Sequence, residues 1–255
     1  MSAFEVVVIL LAGVAAGTIN AIVGSGSLVT FPTLLFFGYP PVVANMSNNL
    51  GIVGGNITGV HGYRRELRGT GPILRVVVPA CVAGGLVGGL LLLVLPSTIF
   101  EVVVPVLIAF GVVLVLLGPW MQRRAAKREA PVAEGRHRAA LAIAIFLTAV
   151  YGGYFGAAQG VILVGVLGAL LSVDIQVING IKNLAGLLAN LVSAIVFVVV
   201  AGDRIAWPVV LAIGIGAMIG GVVGARVGRR LPPLLLRVVI AAVGVVAIVR
   251  MTVFA

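Results

Sequence analysis

Apolar residues run along this chain in long, nearly unbroken stretches, and short groups of glycine, proline and polar residues cut them into ten segments. In the first half these cover about 3–23, 27–37, 42–62, 71–95 and 99–119; in the second, about 138–157, 161–172, 175–201, 206–227 and 233–253. Stretches such as 71–95 and 99–119 reach the roughly 20 residues that a helix needs to cross the hydrocarbon of a bilayer. No segment alternates polar with apolar at period two, so a closed barrel, the other backbone-satisfied way to span lipid, is excluded. The second segment of each half is short. At about 1.5 Å per residue it reaches only about half of a ~30 Å core. The pattern predicts an all-α integral membrane protein with a short or broken helix in each half.

Composition agrees. Apolar residues make up 61% of the chain and charged ones 9%, and the mean hydropathy is +1.26. Soluble domains average about 25% charged residues, so lipid is the expected solvent here. The net charge of +10 sits in clusters between apolar runs, at Arg64–Arg68, Arg123–Arg138 and Arg226–Arg237. That is the distribution of cytoplasmic loops under the positive-inside rule, and it argues against nucleic acid as partner. Cys81, the only cysteine, lies inside an apolar run, so disulfide and CxxC chemistry are absent. Residues 1–20 lack a basic n-region and carry Glu5, which favours a first span over a cleaved signal.

The segments repeat. A shift of 134 positions lays Asn45, Asn49 and Asn56 on Asn179, Asn183 and Asn190, and Gly26 on Gly160. A shift of 136 lays Gly84-Gly85 and Gly88 on Gly220-Gly221 and Gly224, and Leu95-Pro96 on Leu231-Pro232. We read a duplication: residues 1–120 and 138–255 form the repeats and 121–137 a basic linker. The basic loops change places between repeats. Arg64, Arg65 and Arg68 follow the third segment of the first half, whereas Arg226, Arg229 and Arg230 follow the fourth segment of the second. Equivalent loops facing opposite sides produce such a swap, so the expected architecture is a pair of inverted repeats. Whether the short second segment crosses or re-enters stays open. In a cell (inner) membrane, this arrangement puts the basic linker in the cytoplasm and both termini outside. Glycines four apart, Gly84/Gly88, Gly85/Gly89 and Gly216/Gly220/Gly224, are expected to pack helices closely.

Enzyme signatures are absent: no zinc-type cluster, no GxSxG and no P-loop, and His61 and His137 fall at or in basic loops. No metal or cofactor is called for. The candidate chemistry is a polar set inside apolar segments. Asn45, Asn49 and Asn56 fall within about 40° of one another on a helix, and Asn179 and Asn183, with Asn190, repeat the stripe. One such asparagine is ordinarily interhelical glue; two matched stripes point to a polar pocket. Lys182, equivalent to Asn48, lies far from either end of its span, where a charge is costly unless it faces water or a partner. Glycine-bearing breaks precede both short segments: Ser25, Gly26 and Ser27 in one half, Gln159 and Gly160 in the other. Free N–H groups at the following helix starts, and the helix dipole, favour an anion.

The run Gly17-x-x-Asn20-x-x-x-Gly24-Ser25-Gly26-Ser27, with Pro32, Gly38-x-Pro40 and Asn45-x-Ser47-Asn48-Asn49, resembles the opening signature of the TauE/SafE sulfite-exporter family. The resemblance extends over the chain, because Gly160 and Asn179–Asn183 supply the second-half counterpart. It implies a secondary carrier of sulfur-containing anions such as sulfite, sulfoacetate or other sulfonates, acting in export. An anion channel and a non-transporting membrane scaffold remain the alternatives. The exact substrate, a proton or sodium as coupling ion, and the oligomeric state are left open.

Overall fold

The computed structural model describes residues 1–126 and 135–227, together with Val238 and residues 240–246. The first half contains α1 (Ala3–Ile22), α2 (Ser27–Phe36), α3 (Pro41–Gly62), α4 (Gly71–Val94) and α5 (Ser97–Ala126). The second contains α6 (Gly135–Tyr154), α7 (Gln159–Leu170), α8 (Ile175–Ala201), a 3-10 turn at Gly202–Arg204, and α9 (Trp207–Val227). Residues 240–246 are also helical. No strand occurs among the described residues.

Local chemistry sets these boundaries. Ser2 and Glu5 form a reciprocal capping box at the start of α1, each side chain accepting from the other's N–H at 3.2 Å. Proline opens α3, where its missing N–H costs nothing. The Asp174 carboxylate accepts from the Gln176 N–H at 2.7 Å and caps α8. Helix also covers both ends of the stretch read as a linker, since α5 continues to Ala126 and α6 starts at Gly135; Arg, Ala and Lys are good helix formers. The rest of that stretch, and the basic residues Arg229, Arg230 and Arg237, lie outside the described residues.

Among the described residues, five helical stretches are long and apolar enough to cross a membrane: Ala3–Ile22, Gly71–Val94, Ser97–Trp120, Ile175–Arg204 and Trp207–Arg226. Their outward faces carry exposed large apolar side chains such as Val102, Leu116, Val199 and Leu211. A soluble protein does not present such a surface, and lipid covers it here. This is an all-α membrane protein.

Helix directions follow from the register of close contacts. A Cβ on Gly13 would meet Ile213 and one on Gly17 would meet Ala217, while Gly220 and Gly224 abut Val14 and Thr18. Numbers rise together, so α1 and α9 are parallel. Gly51 against Ile213 and Gly62 against Ala225 make α3 parallel to both. By the same test Gly84 against Phe146 and Gly88 against Val150 make α4 parallel to α6, and Gly85 against Ala189 and Gly89 against Ser193 make it parallel to α8. Between the two sets the register reverses: Asn49 reaches Asn190 and Ser193, whereas Gly59 lies beside Asn183. Thus α3 and α8, which the 134-residue shift superposes in sequence, run antiparallel.

The short helices fold back. The Tyr39 hydroxyl, beyond the end of α2, donates to Glu5 in the first turn of α1 at 2.6 Å, and Phe37 packs edge-on against Phe4. Helix α2 therefore returns to the side from which α1 came. On α5, Phe100 meets Phe31 while Gly111 meets Leu28 and Ala158, and Gly118 meets Val161; α7 accordingly heads the opposite way from α2. Each half inserts one helical hairpin, and the tips of the two hairpins meet.

Candidate functional site

The meeting point is built from backbone. At the first tip Gly24 adopts φ +85°, and at the second Gly156 adopts +77° and Ala158 +62°. Gly24 and Ala158 are equivalent under the 134-residue shift, so both repeats make the same left-handed turn there. The Gly160 N–H donates to the Gly24 carbonyl at 2.9 Å. A Cβ on either glycine would lie 2.4 Å from the other's Cα, so the tips approach as only two glycines can.

Around this contact lies a cavity lined by Asn20, Gly24, Ser27, Asn56, Gly156, Gln159, Gly160, Lys182, Asn183, Gly186 and Asn190. Of the residues singled out in the sequence, Ser27, Gln159, Gly160, Lys182 and Asn183 come together here. Asn45, Asn49 and Asn179 do not line it, nor do Ser25 and Gly26 in the first tip. The Asn45 amide instead donates to the Tyr154 carbonyl at the end of α6 (2.8 Å), and the Asn49 amide to Ser193 Oγ (3.2 Å) and Asn190 (3.4 Å). Asn179 is half-buried on α8. Asn20, Asn56 and Asn190 take their places. Asn20 was visible in the glycine-rich motif, and Asn56 and Asn190 in the stripes. Along α3, Asn56 lies about 10 Å from Asn49 at 1.5 Å per residue, and Asn49 meets the cavity wall only through Asn190.

Charge in the cavity is one-sided. Lys182 is buried, and among the described residues no carboxylate lines the space with it. Its ammonium donates to the carbonyls of Asn20, Ala21 and Ile22 at 3.5, 3.2 and 3.3 Å. The sequence suggested water or an anion as its counterpart; the structure gives it the backbone end of α1, a polar terminus bearing partial negative charge. Asn183 joins it, donating to the Ala21 carbonyl at 3.5 Å. Capping thus runs across the halves, α8 closing the end of α1 and Asn45 of α3 closing the end of α6.

Among the described residues, several buried donors stay unmatched. The Asn20 amide donates to Asn56 Oδ1 at 2.5 Å, which leaves Asn56 Nδ2 without a partner. Gln159 Nε2 and Ser25 Oγ are likewise buried and unpartnered. A buried donor left unpaired costs about 1–3 kcal/mol unless a ligand or water meets it. Toward the side where α1 begins, the rings of Phe31, Phe100, Tyr154 and Phe155 pack edge to face at centroid distances of 5.2–6.4 Å.

The sequence was compared with known proteins. No solved structure matches it. It is 26% identical over 209 residues to a protein of Haemophilus influenzae described as a probable membrane transporter protein, covering 82% of this chain and 79% of that one. The family model for the sulfite exporter TauE/SafE matches residues 9–251. A polytopic helical chain with two glycine-broken hairpins meeting at a buried polar cavity therefore belongs to the TauE/SafE sulfite exporter family, a family of membrane transporters and not of enzymes.

Proposed function

We propose that the protein is a secondary carrier of small sulfur-containing oxyanions, such as sulfite, sulfoacetate or related organosulfonates. It exports them by alternating access between two repeats of opposite orientation. One observation carries the choice of an anion: buried, unpartnered donor atoms on Asn56 and Gln159 line a cavity that holds an ammonium and no carboxylate. A sulfo group presents three oxygens in a compact pyramid, which suits amide donors converging from α3 and α7. Ser27 supplies a hydroxyl, and the start of α2 adds its dipole. The three hydrogens of Lys182 are committed to carbonyls, so it acts on the anion through its charge rather than as a ligand.

Opposed direction of α3 and α8, and the exchange of packing partners between halves, support the inverted reading. In such carriers the site lies at the repeat interface and rocking of one repeat on the other alternates access. The loop of Arg64, Arg65 and Arg68 follows the end of α3, which abuts the end of α9 beside Arg226 through Gly62 and Ala225. Positive residues gather on that side, and we assign it to the cytoplasm of a cell inner membrane, with both termini outside. The cavity is offset toward it, since Asn56 lies in the last third of α3 and Lys182 in the first third of α8. That offset favours loading from the cytoplasm, as export requires.

The test is counterflow in liposomes preloaded with sulfoacetate or sulfite, with melting of the purified protein followed in parallel. A carrier accumulates labelled anion against the unlabelled pool, and its melting rises with ligand as RT ln(1 + [L]/Kd). Ohmic current without counterflow would make the protein a channel. No response to any small anion would make it a scaffold.

A further inference from the structure

The end of α1 is an unusual backbone terminus. The N–H groups of Val23 and Gly24 both turn back to the Ile19 carbonyl, at 2.7 and 3.1 Å. The next three carbonyls, of Asn20, Ala21 and Ile22, are left to converge on one point, and the ammonium of Lys182 sits there. Three donors meet three acceptors. Carbonyls at the broken end of a membrane helix, strengthened by the helix dipole, are the setting in which transporters hold an alkali cation. We propose that Lys182 is a tethered cation: its ammonium fills, from within the chain, a monovalent-cation site formed by the last carbonyls of α1.

The other half lacks the device. Asn48 stands where the repeat places Lys182, and it accepts from the Thr30 hydroxyl. At the end of α6 the neutral Asn45 amide takes that place. A requirement for capping as such is thus met by an amide in one repeat, while a full charge is built into the other. If the anion reading is also correct, on which this consequence rests, the positive charge that an ion-coupled carrier would borrow from solution is carried here by the chain itself. Transport then does not depend on Na+ or K+ at this site.

The experiment removes the tether and supplies the cation in solution. Lys182→Ala is purified with ammonium present throughout, then exchanged into methylammonium, K+, Na+ or choline, and its melting is followed. Lys182→Met, which fills the same space with an apolar chain, is run beside it. Expected is a loss of stability in choline for Lys182→Ala that methylammonium or K+ restores saturably. Lys182→Met is not restored, and the parent melts alike in all four. The proposal is overturned if Lys182→Ala folds but ignores every cation, if both variants respond equally, if the parent requires Na+ or K+, or if Lys182→Ala fails to fold even in ammonium. Anion binding is measured separately on the parent. Cation rescue without anion binding by the parent would remove the carrier reading and leave the tethered cation standing, and the reverse result would do the opposite.

Discussion

The Gly160 N–H donates to the Gly24 carbonyl at 2.9 Å, and this single bond joins the tips of two hairpins that enter the protein from opposite ends. Neither residue tolerates a side chain, because each Cβ would stand 2.4 Å from the opposing Cα. At Gly24 the left-handed backbone adds a cost of its own. Gly24→Ala should destabilise by about 3 kcal/mol, strain and overpacking together, and Gly160→Ala by somewhat less. Ala158→Gly, at the equivalent left-handed position, should stay within about 1 kcal/mol of the parent, since relieved strain offsets the lost methyl and the added chain freedom. Thermal unfolding in detergent ranks the three.

Unpartnered donors at the cavity make a different prediction. Asn56→Leu and Gln159→Leu remove donors that nothing among the described residues satisfies; folding should survive both, with the larger loss at Asn56, which also accepts from the Asn20 amide. Each should weaken anion binding by about tenfold or more, because hydrogen bonds to a charged group contribute about 1.5–3 kcal/mol. Asn49→Leu removes bonds to Ser193 and Asn190. It should cost about 0.6 kcal/mol of stability and leave affinity within about threefold. Calorimetric titration with sulfoacetate measures all three, and equal losses in every variant would mean that the amides do not ligate the anion.

How much of this was legible in the sequence depended on whether side chains or backbone carried it. Helix limits were readable because Pro41, Asp174 and the glycines around Gly24 and Gly160 leave local marks. The Asn stripes mark faces of α3 and α8 that turn toward each other. They did not show depth along α3, which comes from where the tips meet: Asn45 turns to the end of α6, while Asn56 reaches the cavity. The partner of Lys182 was unreadable for another reason. A search for acids finds none inside a span, and the carbonyls of Asn20, Ala21 and Ile22 belong to groups every residue carries; only the fold makes these three free.

Tyr39 offers a probe of the hairpin mouth outside the spans. Burial, the hydrogen bond to Glu5 and the charge of Glu5 together push its hydroxyl up from 10.0 to about 12. A group whose folded value is raised contributes stability that is complete below pH 10 and is lost as pH rises through about 12. The parent should therefore lose melting temperature across that window more steeply than Tyr39→Phe, which cannot ionise there. Parallel curves for the two proteins would show that the Tyr39–Glu5 contact does not hold α2 against α1.

Sidedness is the prediction on which the carrier's direction depends. On a Cys81→Ser background, Ser2→Cys marks the start of α1 and Arg65→Cys the loop after α3. Since α1 and α3 run parallel, these two positions lie on opposite sides whatever the absolute orientation. With the basic loop in the cytoplasm, an impermeant maleimide added to intact cells should label Ser2→Cys, and should label Arg65→Cys only after permeabilisation. Labelling of both from one side would contradict the parallel course of α1 and α3 and with it the hairpin reading of α2. Labelling in the reverse order would keep the fold but turn the cavity, with Lys182 and Asn56, toward the outside. The same site would then be loaded from there, and uptake would replace export as the direction of transport.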